Sequence, residues 1–257
     1  MEVLPPLSRR TFLKALGVAP FTAEPFLSLL QEREVRLISS VLTYHEVNAA
    51  KMTSDVVSLI RRGYQPLSLD TFVGALRGEV EIPQGLPTFL VTCDDGLFSQ
   101  YTQGLQAVDT IERQTGYFVP LTLFTMTRFE GLPITEDLPD EVPSFNDGRH
   151  RYMNKGQLVD MLRKGHYLQN HTADHMSVTQ LPEDRLRDQI EVSEGKIDLL
   201  WELAERERTV KAFAYPNGRY AGREGFIQDA GFDVAFTTAG ITQHSSANPF
   251  RLGRLSR

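Results

Sequence analysis

Apolar residues along this chain fall into two rhythms that alternate. Val35 to Tyr44 is rich in Val, Leu, Ile and Thr without helical spacing and predicts a buried strand ending at His45. Two helices are expected next, Thr53 to Arg62 with Val56, Val57 and Ile60 on one face, and Leu69 to Arg77 capped by Ser68. Gly63 and Gly78 stop them. Thr88 to Cys93 is a short apolar run closed by Asp94-Asp95-Gly96, the pattern of a buried parallel strand that delivers polar residues at its carboxyl end. A helix near Ser99 to Gln114 and a strand near Phe118 to Phe124 repeat the alternation, and residues 127–153 read as a long irregular loop.

After that loop, Asn154 is placed to cap a helix running through Arg163, Gly165 ends it, and Tyr167 to Asn170 returns as a strand into His171. Pro182 is expected at a first helical position, with Leu186, Ile190, Ile197 and Trp201 on one helical face behind it. Val210 to Tyr215, a helix near Gly222 to Ala230 and Val234 to Thr238 complete the series. Strand and helix alternate with no fixed repeat, which argues for one α/β domain whose ligand groups gather at the carboxyl ends of parallel strands. The pattern alone leaves a distorted barrel and an open doubly wound sheet both available.

Composition narrows the function classes. With 257 residues, 41% of them hydrophobic, the chain can bury one sizeable core. The net charge of −6 offers no global basic field to collect nucleic acid, and no stretch approaches the roughly 20 apolar residues of a membrane span. A single cysteine, Cys93, excludes an intramolecular disulfide framework and cysteine-rich zinc modules. Ser8-Arg9-Arg10-Thr11-Phe12-Leu13-Lys14 matches the twin-arginine export pattern, so residues 1–34 are expected to be a signal or N-terminal tail and residues 35–257 the catalytic domain. That places the protein in the periplasm or cell envelope, with the cytoplasm as the alternative.

Three features carry candidate chemistry. In Asn170-His171-Thr172-Ala173-Asp174-His175, two histidines stand four apart, and on a helical turn both imidazoles would reach one metal ion. Thr172 stands where a zinc protease helix needs Glu, so that reading fails. Asp94 and Asp95 at a buried strand end are costly to desolvate together without a cation or a proton. One carboxylate and two neutral imidazoles would make a three-ligand site open to water, leaving the other carboxylate to take a proton. The third feature, Phe213-Ala214-Tyr215-Pro216-Asn217-Gly218, is a strand running into a tight turn that can present a backbone N–H to an oxyanion; by default it is a connection.

Taken in order, these motifs resemble the polysaccharide deacetylases of carbohydrate esterase family 4. Thr92-Cys93-Asp94-Asp95-Gly96 is similar to the family's Thr-Phe-Asp-Asp-Gly, and His171 to His175 to its His-(Ser/Thr)-x-x-His. The Tyr215-Pro216-Asn217-Gly218 turn and Tyr44-His45-Glu46-Val47 resemble elements of the poly-N-acetylglucosamine deacetylase branch. The resemblance implies a distorted (β/α) barrel and a metal-dependent hydrolase that removes N-acetyl groups from an amino-sugar polymer or oligosaccharide. It implies that Asp95, His171 and His175 bind Zn2+ or another divalent first-row metal. Asp94 would act as base on the water held there, the Asn217 N–H would stabilise the oxyanion, and His45 would protonate the leaving amine.

Two departures stand out. Ala214 occupies the place of an arginine that orients the base in many members, and the family's Leu-x-x-His-Asp element is absent, which shifts proton donation to His45. They motivate the alternative of a non-catalytic carbohydrate-binding protein of the same fold; a hydrolase of the same metal geometry acting on another amide or an ester, as side branches of the superfamily do, is the second alternative. Cys93 is expected to pack, and His150, His166 and His244 to have surface roles. Phe129, Phe145 and Tyr152 are loop aromatics left outside the site.

Overall fold

The computed structural model describes residues 36–83, 85–128, 152–240, 243–245 and 247–257. The twin-arginine segment, His150, Phe129 and Phe145 lie outside the described residues. Among the described residues no helix is long and apolar enough to cross a membrane.

Strands β1 (Arg36–Tyr44), β3 (Thr88–Asp95), β4 (Leu121–Thr125), β5 (Tyr167–Asn170), β6 (Ala212–Ala214) and β7 (Val234–Phe236) pair in parallel in the spatial order β7-β6-β5-β4-β3-β1. Helices α1 (Ala49–Arg61), α2 (Leu69–Leu76), α3 (Leu105–Thr115), α4 (Lys155–Arg163), α5 (Glu183–Leu203) and α6 (Glu224–Asp229) fill the connections. The result is a curled, distorted (β/α) barrel in a single domain, the architecture that the family resemblance implied. All eight side chains of β3 are buried, as expected of a central parallel strand covered on both faces.

Local signals fall where the chain's chemistry puts them. Asn48 and Ser68 cap α1 and α2 by accepting from Lys51 N–H and Thr71 N–H, and Asn154 forms a capping box with Gln157 at the start of α4. Leu186, Ile190, Ile197 and Trp201 are all buried on the inner face of α5. Pro182 is the N-cap of α5 rather than its first helical residue. α1 begins at Ala49, ahead of the expected Thr53, because Asn48 supplies the cap. A π-helical turn at Gln100–Gly104 precedes α3. Phe118 lies outside β4 and is exposed, its ring against His166.

Three short strands had no periodic signal. β2 (Gln65–Pro66) pairs with β3, β8 (Gln243–Ser245) runs antiparallel to β1, and β9 (Leu255–Ser256) is parallel to β1. The last of these matters most. Leu252 bridges Phe236 beside β7 while Leu255 pairs with Leu42 of β1, so the C-terminal segment spans the two margins of the curled sheet. Arg254 sits between those two anchors and is turned inward, fully buried.

His166 and His244, expected at the surface, are each 1% exposed. His166 Nδ1 accepts from the Leu121 backbone N–H at 3.1 Å, and His244 Nε2 lies 3.2 Å from the Ser39 carbonyl. Burial brings each imidazole down to a pKa of about 4, so both are neutral packing residues.

Candidate active site

Parallel register brings the distant motifs to one end of the barrel. Tyr44 pairs with Cys93, so His45 follows β1 beside Asp94 at the end of β3. Asp95 pairs with Thr125, Thr125 with Asn170, and Asn170 with Phe213. The Asp-Asp, His-x-x-x-His and Tyr-Pro-Asn-Gly elements therefore lie side by side along the carboxyl edge.

Asp95, His171 and His175 converge. Asp95 Oδ1 stands 3.6 Å from the Nε2 of each histidine, and the three ligand atoms lie within 4.8 Å of one another. The histidines do not reach this point along a helical turn, as their spacing suggested. Residues 171–175 form an irregular turn in which Thr172 and His175 take left-handed φ values of 65° and 60°. His171 Nδ1 faces the Ala214 carbonyl at 2.8 Å; a carbonyl only accepts, so Nδ1 carries the hydrogen and a bare Nε2 lone pair faces Asp95.

These residues fit a cation. Asp95 is completely buried, and neither of its oxygens has a hydrogen-bond partner among the described residues. Burial, then the neighbouring Asp94 charge, pushes its carboxyl well above the ordinary range, an arrangement that a divalent ion relieves. Tetrahedral zinc with bonds of roughly 2.0–2.1 Å sets its ligand atoms about 3.4 Å apart, close to the 3.6 Å between Asp95 and each histidine. His171 is held neutral, as a ligand must be: burial is the main cause, and its pKa falls to about 3.

Asp94 is held differently. Arg254 grips it through two parallel bonds, Nη1 to Oδ1 at 2.6 Å and Nη2 to Oδ2 at 2.7 Å. Arg254 Nε donates to the Thr237 carbonyl at 3.1 Å, and the guanidinium lies over the Phe124 ring at 5.4 Å. Burial, the largest single influence, would raise the Asp94 pKa, but the charge of Arg254, then His171, the Arg254 hydrogen bonds and His45 together outweigh it; the result is about 2. Asp94 is thus an ionised carboxylate, and the guanidinium missing at Ala214 is supplied from the other end of the chain. Arg254 escaped the sequence reading because 160 residues separate it from Asp94 and it carries no motif of its own.

The remaining expected residues lie around this centre. His45 is partly exposed, and its charge registers at Asp94; its carbonyl accepts from Gln100 Nε2 at 3.0 Å, and the same nitrogen donates to the Asp94 carbonyl. Asn217 is exposed in the turn after β6 with φ 56°. Cys93 is buried and packs, burial pushing its thiol upward. Tyr152 is not a loop aromatic at the surface: it is buried, bridges Leu97, and feels the charge of Asp95.

The barrel gathers a buried carboxylate, two imidazoles and an adjacent ionised acid at its carboxyl end, groups of the kind that metal-assisted hydrolysis uses. The polysaccharide deacetylase family profile matches residues 86–234, more than half of the chain, and the protein belongs to that family. Family membership makes it a deacetylase with a polysaccharide as its class of substrate. Among solved structures, the deacetylase PplD from Streptococcus pyogenes, in complex with acetate, is similar at 21% identity over 88% of this chain and 93% of that one, with a TM-score of 0.66. IcaB from Ammonifex degensii is similar at 19% identity over 85% and 91%, TM-score 0.67. The BpsB deacetylase domain from Bordetella bronchiseptica is similar at 15% identity over 86% and 96%, TM-score 0.64. No curated protein sequence matches the chain.

Proposed function

We propose that the protein is a metal-dependent deacetylase that removes N-acetyl groups from an amino-sugar polymer or oligosaccharide of the poly-N-acetylglucosamine type. The observation that carries this reading is the buried Asp95, without a hydrogen-bond partner among the described residues and 3.6 Å from two imidazole nitrogens, beside an Asp94 kept ionised by Arg254. Asp95, His171 and His175 would hold a divalent first-row ion, zinc foremost given its affinity for imidazole and carboxylate together. When bound, that ion supplies Lewis acidity for an attacking water and for the acetamide carbonyl.

The chain's own groups do the rest. Asp94 accepts the proton of the attacking water, its two oxygens oriented by the Arg254 fork. His45, next to Asp94 at the end of β1, gives a proton to the departing amine so that it leaves neutral. The Asn217 N–H, in the turn that follows β6, is assigned to the oxyanion. Net, the C–N bond breaks, acetate and a free amine form, and one water is consumed. The non-catalytic alternative drew on Ala214 and on the absent Leu-x-x-His-Asp element; an arginine on Asp94 answers the first of these.

Acetate release from N-acetylglucosamine oligomers tests the reading. Chelation should abolish release and a divalent ion should restore it, while Asp94→Asn should lower turnover by about 10²- to 10⁴-fold. Normal turnover in Asp94→Asn would overturn the mechanism. We further infer export to the cell envelope from Arg9 and Arg10. Replacing both with Lys should leave the protein in the cytoplasm on fractionation, and unchanged export would refute it.

A further inference from the structure

Helix α5 grips the histidine turn at both ends. Gln189, buried on α5, accepts from the Asp174 backbone N–H through Oε1 at 3.0 Å and donates from Nε2 to the Asp174 carboxylate at 2.8 Å. Arg128, just past β4, donates to that same carboxylate and also sends its backbone N–H to the Ala173 carbonyl at 3.0 Å. Further along α5, Glu194 accepts from Asn170 Nδ2 at 2.9 Å, and Asn170 Oδ1 accepts from the Thr172 N–H at 2.7 Å. Arg208 fixes Glu194 in turn, with contacts of 2.8 and 3.2 Å.

The two clamped residues, Asn170 and Asp174, are the immediate or near neighbours of the two residues in left-handed conformation, Thr172 and His175. A β-branched threonine at φ 65° is disfavoured by its own Cβ and persists only where surrounding bonds over-determine it. Without the clamps the turn would relax toward ordinary backbone angles, and the two Nε2 atoms would no longer face one carboxylate oxygen.

We propose that Gln189 and Glu194 are positioning residues for the metal ion, holding residues 171–175 in the strained turn that aims both histidines at Asp95. This rests on the metal-dependent reading above. Outer-shell partners of metal ligands are typically worth about 10- to 100-fold in affinity.

The test is Zn2+ affinity, measured by competition with a chromogenic chelator on metal-stripped full-length protein, alongside its unfolding midpoint. Gln189→Met, which keeps bulk and removes both bonds, should weaken Zn2+ binding by about 10- to 100-fold. If Gln189→Met does not fold, Glu194→Met carries the same expectation from the other end of the turn. A variant that folds, melts earlier and binds Zn2+ within about twofold of wild type would show a purely structural role and overturn the proposal. Wild-type protein that does not bind Zn2+ would instead overturn the metal-dependent reading beneath it, and the two failures are told apart by the wild-type titration.

Discussion

Replacing Arg254 with methionine removes the only cation within bonding distance of Asp94 among the described residues while keeping the bulk of the buried side chain. In the native site the Asp94 pKa of about 2 lies below its ordinary 3.8, so the folded state binds fewer protons than the unfolded one between those values. The stability that this contributes is full above pH 4 and is lost as the pH falls through 2; a shift of that size corresponds to about 2 kcal/mol. Without the guanidinium, burial acts upward on the carboxyl with its largest opposing charge gone. Breaking a buried pair from one side typically costs about 3–5 kcal/mol, which Asp94 can limit only by taking up a proton. Arg254→Met should therefore fold with a lower urea midpoint and lose about 100-fold or more in kcat/KM at neutral pH, the value of a positioned base. Its pH profile should gain an acid limb in the neutral range that wild type lacks. Arg254→Lys keeps the charge but not the two-point grip, and should lower kcat by about tenfold without gaining that limb. A methionine variant with turnover within threefold of wild type and a parallel pH profile would refute the role given to Arg254.

Other consequences are equally measurable. Because His166 and His244 have folded pKa values of about 4 against 6.5 unfolded, the unfolded state takes up protons first as the pH drops, and stability falls from pH 6.5 toward 4. Urea unfolding at pH 7 and pH 5 should differ by about 2 kcal/mol per histidine, and His244→Gln should remove one share; equal midpoints at the two pH values would contradict the buried neutral assignment. Gly218 has φ +67°, and a Cβ there would meet Thr238 Oγ1 at 2.1 Å and Thr238 N at 2.8 Å. Gly218→Ala should cost about 2 kcal/mol or more and disturb the Asn217 turn, whereas Gly222→Ala, left-handed but in open space, should cost only about 1 kcal/mol. Equal midpoints for the two variants would mean that the contact with Thr238 does not constrain the turn.

Much of this molecule is written in short-range pattern. The buried runs at 39–44 and 88–95, the caps at Asn48, Ser68 and Asn154, and the inner face of α5 follow from side-chain periodicity and backbone hydrogen-bonding needs, which act over a few residues. The family resemblance had singled out Asp95, His171 and His175, and parallel strands deliver their ends to one edge, where the three ligand atoms lie within 4.8 Å of one another. Three things were settled only by tertiary structure. The histidine turn is irregular rather than helical, with Thr172 and His175 left-handed, and it is met by hydrogen bonds from α5 and from Arg128 just past β4. His166 and His244 are interior because strands from elsewhere cover them, although their local sequence is polar. Arg254 reaches Asp94 because the last residues of the chain bridge the two margins of the curled sheet, and a contact across 160 residues leaves no periodic trace. Spacing along a chain records what neighbours require of one another, while a guanidinium's partner depends on which segments the closed fold brings to the same place.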